Sequence, residues 1–185
     1  MKTNENIALY VLRLAGTLLA ICIVVAAALA GVNAITAPVI AELNAAATQE
    51  AISAVLPGGF DSEITDYADA SGIVSKVYQG ANGYALEVGP GGFDNTITMM
   101  VGVDKSGNVL GIDVISHSET AGLGAVADAE TPAGIAFREQ FKGVTGSVSV
   151  TKDGGQMDAI TGATITSRAV CAGVNAALEC VAQMG

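Results

Sequence analysis

The chain has no tryptophan, a single histidine and three cysteines among 185 residues, and only eight basic side chains against 18 acidic ones. Each scarcity excludes a class of chemistry. One histidine, His117, leaves no clustered ligands for a zinc or iron site. Cys22 lies in an apolar run, and Cys171 and Cys180 are nine residues apart on one expected helix, about 13 Å by helix rise and on opposite faces, too far for a bridge. No Cys-x-x-Cys spacing offers an iron–sulfur cluster. The net charge of −10 argues against nucleic acid as a partner. Glycine is plentiful, yet Gly122-x-Gly124 lacks the completion of a dinucleotide fingerprint, and no lysine follows a glycine loop as in a P-loop.

What the chain does have is a long apolar run near its start. Leu14 to Val32 is nineteen residues without a charge, enough for a helix across the roughly 30 Å hydrocarbon core. Lys2 and Arg13 precede it, which predicts a cytoplasmic N-terminus and an extracytoplasmic remainder. Ala28-Leu29-Ala30 resembles a signal-peptide cleavage site, but the run is longer than a signal core and continues toward Ile35, so an uncleaved anchor is expected. The predicted organisation is residues 1–35 as cytoplasmic N-terminus and anchor, and 36–185 as one exposed domain holding 17 acidic and six basic side chains.

Within that domain an alanine-rich helix is expected from about Pro38 to Val55, stopped by Pro57-Gly58-Gly59. Four β-rich stretches follow, Ile73–Tyr78, Tyr84–Val88, Thr96–Val103 and Val109–Ile115. The turn signals between them favour an antiparallel meander. Thr131-Pro132 opens a short helix to about Phe141, and Ser147–Val150 is a candidate further strand. A last helix is expected from Ser167, its capping residue, to about Gln183, with Val170, Val174, Ala177 or Leu178, and Val181 facing the sheet. The fold class is α+β: one transmembrane helix, then an antiparallel sheet with packed helices.

The most informative stretch is Asp158-Ala-Ile-Thr161-Gly162-Ala163-Thr164, a polar, glycine-hinged loop just before that helix. A free threonine hydroxyl is a poor nucleophile, so its neighbours decide its use. Gly162 and Ala163 admit a large partner near the backbone, the helix start favours a phosphate, and Asp158 is a candidate proton acceptor or metal support beside it. Read plainly, Thr161, Thr164, Thr166 and Ser167 are also ordinary turn and capping residues. A second patch, Ser116-His117-Ser118-Glu119-Thr120-Ala121-Gly122-Leu123-Gly124, is polar and glycine-rich and would alone pass for loop and capping residues.

The Asp158–Thr164 stretch matches at every defined position the Asp-x-x-(Ser/Thr)-Gly-Ala-Thr signal of the FMN-binding domain family, and the second patch resembles that family's His-x-Glu-Thr-Pro-Gly-Leu-Gly segment. Ala121 stands where proline is usual. The family includes the G subunit of the Rnf electron-transport complex and the C subunit of the sodium-pumping NADH:quinone oxidoreductase. The chain's compact length resembles the former.

The resemblance implies FMN attached by a phosphoester to Thr164 by a dedicated flavin transferase. Asp158, Thr161, Gly162 and Ala163 would form the attachment loop, with His117, Glu119, Thr120, Gly122 and Leu123 as flavin neighbours. It further implies an electron-relay role beside the other members of a membrane complex that couples ferredoxin oxidation and NAD⁺ reduction to ion movement. No catalytic residue and no metal ligand is expected in this chain. The competing reading is an anchored binding domain without a cofactor, in which the Thr164 loop merely caps the last helix.

Overall fold

The computed structural model describes residues 2–184, with side chains from Ile7 onward except Ala8. Lys2, one of the two basic residues of the topology argument, therefore lies outside the described side chains. The chain divides into two compact units, Met1–Ala46 and Ala47–Gly185. Helix α1 (Lys2–Val55) contains Pro38 within its length. From Leu9 it is long and apolar enough to cross a membrane, and its most apolar window is wholly unburied.

In the second unit a five-stranded antiparallel sheet follows simple chain order: β1 (Ser62–Ile64), β2 (Val74–Gly80), β3 (Gly83–Val88), β4 (Thr98–Asp104) and β5 (Val109–Ser116). The four expected strands form the expected meander, with tight turns between β2 and β3 and between β4 and β5. Gly80 pairs with Gly83 across the first, and Asp104 accepts backbone bonds from Ser106 and Asn108 in the turn between β4 and β5. The alternation buries both faces. Val77, Leu86, Met99 and Val101 point to the larger core, while Tyr78, Ala85 and Met100 meet Ala51, Ile52, Val55 and Leu56 from the end of α1.

The larger core is closed by α2 (Pro132–Glu139) and α3 (Thr164–Met184). Thr131 caps α2, its hydroxyl accepting from Gly134 N–H at 3.2 Å with proline at the first helical position, as expected. Val170, Val174, Ala177, Leu178 and Val181 of α3 are buried as the stripe predicts. Gly173 lets the helix lie close to the sheet: a β-carbon there would sit 3.1 Å from Val88, Pro90 and Met99.

Three expectations are corrected. The last helix begins at Thr164, three residues before the expected Ser167, so Ser167 is inside the helix and does not cap it. Ser147–Val150 forms no strand: it makes a single bridge, Val150 to Met157. Its Val148 is held by the Asn175 side chain, whose carboxamide accepts from Val148 N–H at 2.8 Å and donates to Val148 C=O at 2.9 Å. Cys171 and Cys180 of α3 are both buried, as free thiols. Finally, β1 was not expected. Its three residues are mostly exposed and carry no alternation to reveal them.

Candidate functional site

The loop before α3 is a turn fastened twice. Ala163 N–H donates to Ile160 C=O at 2.9 Å, and Gly162 occupies the third position at φ 78°, in the left-handed region that a β-carbon disfavours. Ser167 clamps both ends of this turn: its hydroxyl donates to Ala163 C=O at 2.9 Å and accepts from Ile160 N–H at 3.0 Å. Thr164 follows at once as the first residue of α3, half-buried, on a base that these bonds hold still.

Thr164 Oγ1 accepts a hydrogen bond from Lys152 Nζ at 3.0 Å. Lys152 rides on a short 3-10 turn, Thr151–Asp153, which Arg168 fastens to α3 by a two-pronged pair with Asp153 at 2.7 Å for each prong. That guanidinium holds the exposed Asp153 carboxyl below its ordinary range. Around the hydroxyl, the N–H groups of Thr164, Ile165 and Thr166 have no acceptor among the described residues, as befits the first turn of a helix. The site therefore offers one hydroxyl, one ammonium and the positive end of a helix.

Glu119 builds the opposite wall. It is only 8% exposed. Its Oε1 accepts from Phe93 N–H at 2.7 Å and Asp94 N–H at 3.4 Å, while Oε2 accepts from the Thr166 hydroxyl. One carboxylate thus joins the loop after β3, the turn after β5 and the start of α3. Gly92 and Gly124 are bare because a β-carbon at either would overlap Glu119 oxygens. Phe93, Leu123 and Ile165 are left as large exposed apolar side chains, 66%, 43% and 48% exposed.

These walls enclose a cavity of about 240 Å³ lined by Phe93, Glu119, Thr120, Leu123, Gly124, Gly162, Ala163, Thr164, Ile165 and Thr166. Of the residues singled out from sequence, Glu119, Thr120, Leu123, Gly162, Ala163 and Thr164 meet here. Asp158, Thr161 and Gly122 line a separate cavity of about 430 Å³ against Phe137 and Gln140. Gln140 grips the Asp158 backbone at both ends, accepting from its N–H at 2.7 Å and donating to its C=O at 3.1 Å, and leaves the carboxylate exposed. His117 lines neither cavity: Nδ1 accepts from Glu119 N–H at 3.2 Å and Nε2 lies 3.8 Å from Asp128. A further cavity of about 470 Å³ lies along the C-terminal half of α3 beside Lys105 and Thr145, lined by none of the residues around the hydroxyl.

Sequence reasoning missed Phe93 and Ile165 as parts of this wall. The glycines before Phe93 were the signal: Gly92 is required by a carboxylate 27 positions later. Among the described residues no group of three or more acidic, histidine or cysteine side chains gathers as a metal site.

Residues 92–179 match the model of the FMN-binding domain family, and that span contains every cavity-lining residue around Thr164. The G subunit of the Na(+)-translocating ferredoxin:NAD(+) oxidoreductase complex of Acetobacterium woodii is 33% identical over 97% of this chain and 97% of its own length. The G subunit of the ion-translocating oxidoreductase complex of Methanosarcina acetivorans is 34% identical over 89% of this chain and 91% of its own. Its Vibrio vulnificus counterpart is 42% identical over 55% of this chain and 50% of its own. With relatives matched along almost its entire length, the chain belongs to the FMN-binding domain family, beside the G subunits of ion-translocating oxidoreductase complexes.

Proposed function

We propose that this chain is the electron-relay subunit of an Rnf-type ferredoxin:NAD oxidoreductase complex, with FMN joined by a phosphoester to Thr164 Oγ1. The observation that carries the reading is the half-buried Thr164 hydroxyl, set among three unpartnered N–H groups and 3.0 Å from an ammonium, inside a matched FMN-binding domain. That donor set suits a phosphate ester: helix-start N–H groups and Lys152 complement its charge, and Gly162 and Ala163 leave its approach open. FMN would supply one-electron transfer. Everything else is the chain's own work of holding, orienting and tuning.

The cavity's size agrees with a relay. At about 240 Å³ it is smaller than the roughly 300–1,000 Å³ pockets that engulf a ligand, so a group held there would keep an exposed flank for exchange with neighbouring subunits. Maturation by a flavin transferase would join the FMN phosphate of FAD to Thr164 Oγ1, with AMP leaving and the hydroxyl proton released. Asp158, exposed and lining the neighbouring cavity, is then a contact for the transferase and takes no part in the finished phosphate site.

Residues 1–35 would anchor the chain with its N-terminus in the cytoplasm, and 36–185 would form the extracytoplasmic domain. A single span cannot form an ion pathway by itself, so ion movement belongs to partner subunits. Membership of a sodium-pumping NADH:quinone oxidoreductase, as its C subunit, has less support, because the relatives matched at near-full length are G subunits.

The test is to express the chain beside an active flavin transferase, denature it in detergent, and examine the gel under ultraviolet light. A fluorescent band that disappears in Thr164→Ala is the expected result. A dark wild-type band, with the transferase verified on another substrate, would favour an anchored binding domain without flavin.

A further inference from the structure

Glu119 is a buried carboxylate without a cation. The ion pairs among the described residues use Glu87, Asp128, Glu130, Glu139 and Asp153, and none reaches Glu119. Its hydrogen bonds come from two backbone N–H groups and one hydroxyl, which share its charge without cancelling it. It nonetheless lines the same cavity as Thr164, and the ammonium that touches Thr164, that of Lys152, does not line the cavity and is committed to the Thr164 hydroxyl. A buried charge is poorly screened and acts over a longer range than one in water.

Building on the flavin reading above, we propose that Glu119 is a tuning residue: a fixed anion in the wall of the cavity that holds the reduction potential of the group on Thr164 low. Each electron delivered by a reduced one-electron carrier adds one unit of negative charge at the cavity unless a proton from water accompanies it, and the same electron leaves to the next oxidised carrier. The Glu119 charge opposes its arrival and favours its departure. The side chain serves a second end at no further cost: through Phe93, Asp94 and Thr166 it also holds the wall in place.

The two roles separate in Glu119→Gln. The carboxamide oxygen still accepts from Phe93 and Asp94 N–H, and its NH₂ donates to the Thr166 hydroxyl in place of the bond it formerly accepted, so the wall is kept and the charge is lost. The experiment is a potentiometric titration of the full-length flavinylated chain in detergent, wild type against Glu119→Gln and Asp94→Asn, at low and high salt. Peptide mass confirms the adduct on Thr164 in each sample.

The expected result is a shift of Glu119→Gln to more positive potential that persists at high salt. The exposed Asp94→Asn should give a smaller shift that salt removes. An unchanged potential in Glu119→Gln, with the adduct present and the melting temperature retained, overturns the proposal and leaves Glu119 a purely structural tie. An adduct missing from the wild type overturns the flavin reading itself, and the tuning role with it. Should Glu119→Gln unfold, Thr166→Val tests the same idea. It removes one bond to the carboxylate while keeping the charge, so a potential that moves no further positive than wild type supports the proposal, and a positive shift overturns it.

Discussion

Two cavities flank the short loop before α3, and they are built in different ways. The one at Thr164 is made by long-range polar ties: Glu119 reaches Phe93, 26 residues back, and Thr166, 47 residues on. The one at Asp158 is made by helix packing, with Phe137 of α2 buried at its wall and Gln140 clamping the loop backbone. Residues contiguous in the Asp158–Thr164 motif therefore face different surroundings. A linear motif is not one site: its last residue carries the hydroxyl, and its first stands on a surface where another protein has access.

Breaking the packed side should cost most. Phe137→Ala removes a buried ring that meets Phe141 edge-on at 5.6 Å between centroids, and a loss of about 3–5 kcal/mol is expected in urea unfolding, with Thr164 still able to receive FMN in the folded fraction. Breaking the polar side through its glycine comes next. Gly124→Ala pushes a methyl into Glu119 and Thr166, so about 1–3 kcal/mol should be lost, together with the fixed position of Phe93 read by hydrogen exchange at residues 92–94. Gln140→Ala removes both clamps on Asp158 and should lower stability by roughly 0.5–1.5 kcal/mol per bond at most, while slowing flavinylation.

Two smaller effects sharpen the same contrast. Asp113 on β5 has its carboxyl pushed above the ordinary range by burial, an effect that Arg138 of α2 partly offsets. A raised acid means that stability is fully present below the unfolded pKa and falls as pH rises through the folded one. Asp113→Asn should therefore unfold at a higher urea midpoint than wild type at pH 7, and the two should converge in acid. On α3, burial pushes the Cys171 thiol up to about 11, so alkylation of the native domain at neutral pH should leave it unlabelled, and urea should expose it.

The meander was legible because its strands alternate and its turns carry glycine, asparagine and aspartate at the required places. The Thr131 cap and the α3 stripe were legible for similar local reasons. What escaped was tertiary. Ser62–Ile64 becomes a strand only because β2 offers an edge, and Ser147–Val150 fails to become one because Asn175 satisfies its backbone instead. Ser167 looked like a cap, yet its hydroxyl turns back to pin the preceding loop. At the site, sequence order named Thr164 and its immediate neighbours. It could not show that Glu119 spans three segments, that His117 turns toward Asp128, or that Asp158 lines a different cavity from Thr164.

The proposed flavin carrier is the hydroxyl of Thr164, and no other on this loop. Trypsin cutting after Lys152 and Arg168 releases one peptide containing Thr161, Thr164, Thr166 and Ser167 together. Fragmentation mass spectrometry of that peptide, from chain matured by a flavin transferase, locates the adduct among the four. FMN mass on Thr164, retained in Thr161→Ala and lost in Thr164→Ala, is the predicted result. An adduct on Thr161, Thr166 or Ser167, or an unmodified peptide from verified transferase, would contradict the account.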